Sequence, residues 1–173
     1  MDFYDVIRTR RSIRSYRSDP ISEEVLNRVM DAARIAPSGS NRQPWKFIIV
    51  KDESLRQRLA SICGGQNFIA EPPVAVVACG YDIHRNRGGY MGEMSILVDV
   101  SIAFTHLIQA ARAEGLGTCW IGAFDNNQVK ELLNIPENFY VVAVTPLGYP
   151  REEKFREPGE RKNLEEIVST DKF

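Results

Sequence analysis

Five arginines fall within ten residues, at Arg8, Arg10, Arg11, Arg14 and Arg17, with a hydroxyl among them at Ser12. The guanidinium group is planar, permanently charged and presents paired N–H donors that match phosphate oxygens. The whole chain has 22 basic and 23 acidic side chains, so the cluster is a local excess in a protein of net charge -1. Two plainer readings compete. Positive side chains complement the carbonyl end of a helix, and a basic patch binds nucleic acid. The net charge argues against general attraction to nucleic acid or to a membrane surface. A second concentration of polar groups is Ser38-Gly-Ser-Asn-Arg-Gln43, between Pro37 and Pro44. Its donors and acceptors suit the edge of a flat heterocycle, although serine and asparagine also make turns that satisfy themselves. A third stretch, Gly115-Leu-Gly-Thr-Cys-Trp-Ile-Gly122, ends on a glycine whose missing Cβ lets a ligand come close to the backbone. It is not the dinucleotide fingerprint, because no GxGxxG follows a strand and opens a helix.

The elements that position these groups are legible in outline. At 173 residues the chain is expected to be a single domain, 1–173, long enough to bury a core. Cys63, Cys79 and Cys119 form no CxxC pair, and His84 and His106 stand alone, so no metal site is expected. An odd number of thiols, two of them in apolar runs, suggests buried cysteines and a reducing cytoplasm. The opening Met-Asp-Phe-Tyr-Asp is not a signal peptide.

Residues 2–10 read as a short helix with Phe3, Val6 and Ile7 inward. Ser22 caps a second helix, whose stripe Val25, Leu26, Val29, Met30 and Ala33 should end before Pro37. Trp45 to Val50 reads as a strand. A helix capped by Asp52 follows, ended by Gly64-Gly65. Val74 to Cys79 is apolar on both faces, as in a central strand. Residues 81–92 form a glycine-bearing loop that either covers a site or only connects. The helix 93–114 is apolar nearly all round, with Asp99 its only charge between Ser95 and Ala111. It is therefore either central or one half of a subunit interface, and His106 on it is a packed or interface side chain. Thr118 to Ile121 reads as a strand, Asp125 caps a short helix, and Phe139 to Thr145 is the last strand. A polar segment, 151–163, precedes an apolar group at Leu164, Ile167 and Val168.

Four stretches in this order resemble the nitroreductase family of FMN-dependent oxidoreductases: Arg10-Arg-Ser-Ile-Arg14, Ala36 through Trp45, Gly115 through Gly122, and Leu147-Gly-Tyr-Pro150 with Arg161 downstream. The resemblance implies an α+β, nitroreductase-like fold with a central mixed or antiparallel sheet flanked by helices. It implies a homodimer with FMN at the subunit interface and a C-terminal tail reaching the partner subunit. Carried over by position, Arg10, Arg11 and Ser12 match phosphate ligands, and Arg14 matches a basic residue near the ribityl chain and pyrimidine edge. Ser38, Gly39, Ser40 and Gln43 match the loop that the flavin ring meets. Asn67 lies where some members contact flavin or acceptor. Ile121 and Gly122 match the place where a backbone N–H faces flavin N5. Arg161, with Lys162, matches a second phosphate clamp.

The implied activity passes hydride from NAD(P)H through the flavin to a small-molecule acceptor, a nitroaromatic, quinone or relative, by a ping-pong mechanism. It requires no catalytic side chain, because the cofactor carries the chemistry. No nucleic acid, membrane or metal is implied. A non-catalytic flavin-binding or sensing protein on the same scaffold is the alternative.

Overall fold

The computed structural model describes residues 1–81, 92, 94–152 and 155–173, so the expected loop 81–92 lies, apart from its two ends, outside the described residues. Four strands form one sheet: β1 (Trp45–Val50), β2 (Val74–Tyr81), β3 (Gly117–Thr118) and β4 (Phe139–Gly148), in the order β1-β2-β4-β3 with antiparallel pairing throughout. β2 is buried along nearly its whole length, as its unbroken apolar run requires. Alternate side chains enter different cores. Ala75, Val77 and Cys79 join Leu59, Cys63, Ile69, Ile121 and Val129 on one face. Val74, Val76 and Ala78 join Leu26, Val29, Phe104, Leu107 and Ala111 on the other. The two-residue period of a strand divides the protein into these layers.

Helices cover both faces. On the first lie α3 (Glu53–Ile62) and α5 (Asn126–Leu133), and on the second α2 (Glu23–Arg34) and α4 (Ser95–Ala113). α1 (Phe3–Thr9) packs near the end of α4. The caps fall where the sequence places them: Ser22 accepts from Val25 N, Asp52 from Leu55 N, and Asp125 from Gln128 N. Burial raises the Cys63 thiol to about 11 and the Cys79 thiol to about 12, so both stay protonated at neutral pH.

Three expectations need correction, and the placing of α4 is settled between its alternatives as a core helix. Only Val6 of α1 is buried; Phe3 and Ile7 are 61% and 40% exposed. α4 is long and apolar enough to cross a membrane by length and composition. It is instead a core helix with one open flank: Val100, Ala103, Phe104 and Leu107 are buried, whereas Leu97 and Thr105 are exposed and Ser101, Ile102, His106 and Gln109 are half-buried. The strand expected over Thr118–Ile121 ends at Thr118, because the Cys119 N–H donates to Thr145 Oγ1 and leaves the backbone ladder; only Ile121 bridges back, to Val144. β4 continues past Thr145 to Gly148. Pro146 is accommodated because β3 pairs with Leu147 and Gly148 alone, leaving one flank of the strand unpaired at the proline.

The arginine-bearing segment is laid along this sheet edge. Ser12 bridges Thr118 in parallel, Ile13 N donates to Thr118 O at 2.9 Å, and Arg17 N donates to Tyr149 O at 2.9 Å. Tyr16, fully buried, bridges Pro150 and donates from its hydroxyl to Ile13 O at 2.6 Å. The close fit at Gly117 sets the approach: a Cβ there would fall 2.8 Å from Ile13 Cγ1 and 2.9 Å from Ile13 Cβ. Gly117→Ala is expected to lower stability by roughly 1–3 kcal/mol through overpacking, read as a lower urea midpoint at unchanged slope.

Candidate functional site

α1 ends at Thr9, and Arg10 turns the chain onto the sheet edge. Arg10 and Ser12 there line a cleft of about 260 Å³ together with Ile7, Thr105, Ile108, Gln109 and Trp120. Trp120 was not singled out from the sequence. Its ring meets Phe104 edge-on at 4.7 Å, which fixes the indole while leaving it 40% exposed to the cleft. The cleft runs on along the open flank of α4, where Ser101, Ile102, Thr105, His106 and Gln109 line a further groove of about 330 Å³.

Arg11 serves both readings taken from its sequence position. Its guanidinium donates to Arg10 O and, at 2.9 Å, to Arg8 O, closing the carbonyl end of α1. Its pKa is lowered, first by desolvation and then by the positive charges of Arg161, Arg10 and Arg156, with Glu157 acting in the opposite sense. The charges of Arg10, Arg156 and Arg161 thus act on Arg11 from the two ends of the chain, and Glu157 is partly engaged with Arg8 at 3.2 Å. An anion would relieve repulsion among these cations, and guanidinium forks are suited to phosphate oxygens. Arg161, expected as a second clamp, thus comes within electrostatic reach of Arg11, with Lys162 exposed beside it. Arg14 is exposed on the same segment, close enough for its charge to act on the Tyr16 phenol.

The tail is held by a residue the sequence reading missed. Arg112, buried at the end of α4, donates to Thr9 Oγ1 at 3.0 Å and lies 3.9 Å from the centre of the Phe155 ring. A charged residue in the last turn of an apolar helix was the signal available.

The polar loop lies elsewhere. Ser38 Oγ accepts from Gln43 N at 2.9 Å, and Gln43 Nε2 donates to Asn41 O at 2.9 Å, so much of the turn satisfies itself. Yet Ser40, Asn41 and Gln43 have φ of 56°, 55° and 52°. Asparagine tolerates this region, but serine and glutamine enter it at a cost of order 1–3 kcal/mol each. A run of this kind persists where function or surrounding structure demands it. The Gly39 N–H donates to Asp99 Oδ1 at 3.0 Å, near the start of α4. From Asp99 to Gln109 is ten residues, roughly 15 Å of helix axis. One chain therefore sets the loop and the arginine cleft towards opposite ends of α4 and does not bring them together.

Three further expected positions, Ile121, Gly122 and Asn67, stand on segments that pack into the core of the other face. Ile121 is buried in the core with α3, and its N–H and carbonyl are both bonded to Val144, at 2.9 and 3.0 Å. It offers no side chain outward and instead holds Gly122. Gly122 is exposed, and a Cβ there would meet nothing within 4 Å, so packing within the chain does not require a glycine. Asn67 opens the exposed turn Asn67–Ile69, whose Phe68 and Ile69 join the same core as Ile121. Asn67 itself is exposed. Among the described residues, no cluster of His, Cys, Asp and Glu could hold a metal ion.

Comparison with known proteins gives a consistent result. A family model described as the Nitroreductase family matches residues 7–88 and 63–149. A protein named NADH dehydrogenase from Thermus thermophilus is 32% identical, with 92% of this chain and 91% of that protein covered. An FMN reductase (NAD(P)H) from Bacillus subtilis is 30% identical, with 86% of this chain and 66% of that protein covered. The crystal structure of a nitroreductase family protein from Clostridium novyi NT superposes with a TM-score of 0.82 at 36% identity, covering 91% of this chain and 89% of that one.

Arg11→Glu separates the two roles of Arg11. Reversing a charge that faces Arg10, Arg156 and Arg161 is expected to weaken binding of a phosphate-bearing ligand, probed with FMN, by roughly tenfold or more. Thermal unfolding of the ligand-free protein should change far less. Unaltered FMN affinity would leave Arg11 as a helix-end cap alone.

Proposed function

The chain belongs to the nitroreductase family, and on that premise we propose that it is an FMN-dependent oxidoreductase, taking hydride from NAD(P)H and passing it to a nitroaromatic, quinone or related small acceptor. The observation that carries this reading is the gathering of Arg10, Arg11, Arg156 and Arg161 beside an open, Trp120-lined cleft in a chain of net charge -1. FMN supplies the redox chemistry when bound, by accepting and then releasing hydride.

The side chains have supporting roles. Arg10, Arg11, Ser12 and Arg161, with Lys162, hold the phosphate. Arg14 places positive charge near the pyrimidine edge, which favours a reduced, anionic ring. Gly122 offers a backbone N–H where no Cβ intervenes, and Ile121 keeps it in place through Val144. Asn67, exposed at the start of its turn, would contact the flavin or the acceptor. One cleft then serves donor and acceptor in turn, which is the basis of ping-pong turnover. All of residues 1–173 act as one FMN-binding domain, in a cytoplasm reducing enough to keep the three buried thiols free.

The reading includes a homodimer with FMN between its subunits. Two observations favour it. The loop Ser38–Gln43 and the arginine cleft are about 15 Å apart along one α4, so a two-fold partner laid on the open flank of that helix can bring its own loop to this chain's arginines. The chain also leaves apolar side chains uncovered at both ends: Phe3 and Tyr4 are 61% and 69% exposed, and Leu164, Ile167 and Val168 are 71%, 66% and 54% exposed. Covering the last three against a partner is worth about 1.5–3 kcal/mol each, less the cost of association and of ordering the tail.

Purified protein should show flavin absorption that bleaches with anaerobic NADPH, and steady-state rates should give parallel double-reciprocal lines. A yellow protein that NAD(P)H does not bleach is the sensor; a colourless one that takes up no FMN ends the reading.

Ending the chain after Pro158 removes Arg161, Lys162 and the exposed apolar group together. Flavin affinity and dimer stability should fall together, while the outer face of α4 retains some association. Sedimentation with and without FMN measures both, and an unchanged dimer with unchanged affinity would refute the assignment of the tail.

A further inference from the structure

Asp99 is the only acidic residue of α4, and it is buried, at 9% exposure. An ionised carboxylate inside an apolar helix face is expensive unless its oxygens are satisfied. Here one of them accepts the Gly39 N–H at 3.0 Å. The loop that follows is bonded mostly within itself: Asn41 N to Ser38 O, Arg42 N to Gly39 O, and Gln43 to Ser38 and Asn41. Such internal bonds shape the turn but do not fix where it stands on the body of the protein. Two ties to the body of the protein flank the turn, Gly39 N to Asp99 on α4 and Tyr81 N to Pro44 O on β2, at 3.0 and 3.1 Å. A cavity of about 10 Å³ lies between them, lined by Gly39, Arg42, Pro44, Tyr81, Ser95, Ile96 and Asp99. Within the span between the two ties stand the three left-handed residues Ser40, Asn41 and Gln43. A strained run held at both ends keeps one conformation; released at one end, it relaxes towards ordinary backbone angles.

We propose that Asp99 is a positioning residue for the flavin-facing loop. Its carboxylate grips the Gly39 N–H and so holds the turn in which Ser40, Asn41 and Gln43 are left-handed, the shape that meets the ring. This rests on the FMN reading above. The acceptor is a charged oxygen because such a bond is about twice as strong as a neutral one. Gly39 is suited to the contact because its N–H must reach a carboxylate recessed in a helix face.

The test compares the parent with Asp99→Ala, Asp99→Asn and Gly39→Pro. Two quantities are read: FMN affinity by quenching of flavin fluorescence, and hydrogen exchange of the amides from Gly39 to Gln43 in flavin-free protein. Asp99→Ala should bind FMN on the order of tenfold to a hundredfold more weakly, the span expected for a lost bond to a charged group. Its loop amides should exchange faster while those of β2 and the centre of α4 stay protected. Asp99→Asn keeps an oxygen acceptor and should recover most of the affinity.

Gly39→Pro deletes the donor and leaves the Asp99 side chain in place. The preceding residue, Ser38, already has the extended angles, φ -144° and ψ 159°, that a following proline requires. It should weaken FMN as Asp99→Ala does, and it decides the matter if the alanine variant does not fold.

The proposal is overturned if Gly39→Pro or a folded Asp99→Ala binds FMN like the parent, whether or not the loop exchanges faster. It is also overturned if Asp99→Asn is as weak as Asp99→Ala, or if exchange rises equally across β2 and α4. A parent that takes up no FMN refutes the functional reading instead, and the exchange comparison still reports whether Asp99 holds the loop.

Discussion

β2 has almost no surface in water, and the rest of the architecture follows from that. A strand apolar on both faces needs helices on both sides, and its alternating side chains sort Ala75, Val77 and Cys79 from Val74, Val76 and Ala78 into separate cores. α4 is drawn against one face so closely that a Cβ at Gly80 would fall 2.3 Å from Ile96 Cγ2. With that contact made, the helix has one flank on the sheet and one open. The open flank is a floor between the arginine segment at one end and the polar loop at the other.

Electrostatics then work against the fold in one place. The charges of Arg10, Arg156 and Arg161 all bear on Arg11 although the chain as a whole is nearly neutral. Elsewhere opposite charges are paired: Arg28 donates to both Glu114 oxygens at 2.8 and 2.9 Å, tying α2 to the end of α4. That pair holds the Glu114 carboxyl below its usual range, chiefly through the hydrogen bond from Arg28. The contrast is informative, since a chain that pairs Arg28 this well also leaves four guanidinium groups crowded together. Arg112 is the joint that makes the crowding possible, with Thr9 of α1 on one side and Phe155 of the tail on the other.

Much of this was legible in the sequence because it rests on local rules. Caps at Ser22, Asp52 and Asp125, the end of α3 at Gly64-Gly65 and the centrality of β2 all depend on residues close in the chain. The arginine cluster was visible for the same reason, and so was the order of the four motifs. What was not legible depends on contacts between distant residues. Nothing near Cys119 says that its N–H leaves the ladder for the hydroxyl of Thr145. Nothing near Phe3 says that α1 turns it outward, since a short amphipathic pattern does not reveal which apolar positions the sheet will cover. Asp99 was noticed as a lone charge, but its partner is Gly39, sixty residues earlier in the chain. Nothing near Ile121 says that its side chain enters the core and that its backbone bonds to Val144.

The separation of the loop from the arginine cleft along α4 has a genetic consequence. If the subunits pair as proposed, every site combines the arginines of one subunit with the loop of the other. A chain damaged only at its arginines and a chain damaged only at its loop each form pairs with no sound site. When the two meet in one mixed pair, both lesions fall in the same site and the other site is wholly intact. Two inactive alleles of this kind would therefore restore each other's function when expressed together, though neither carries an undamaged sequence.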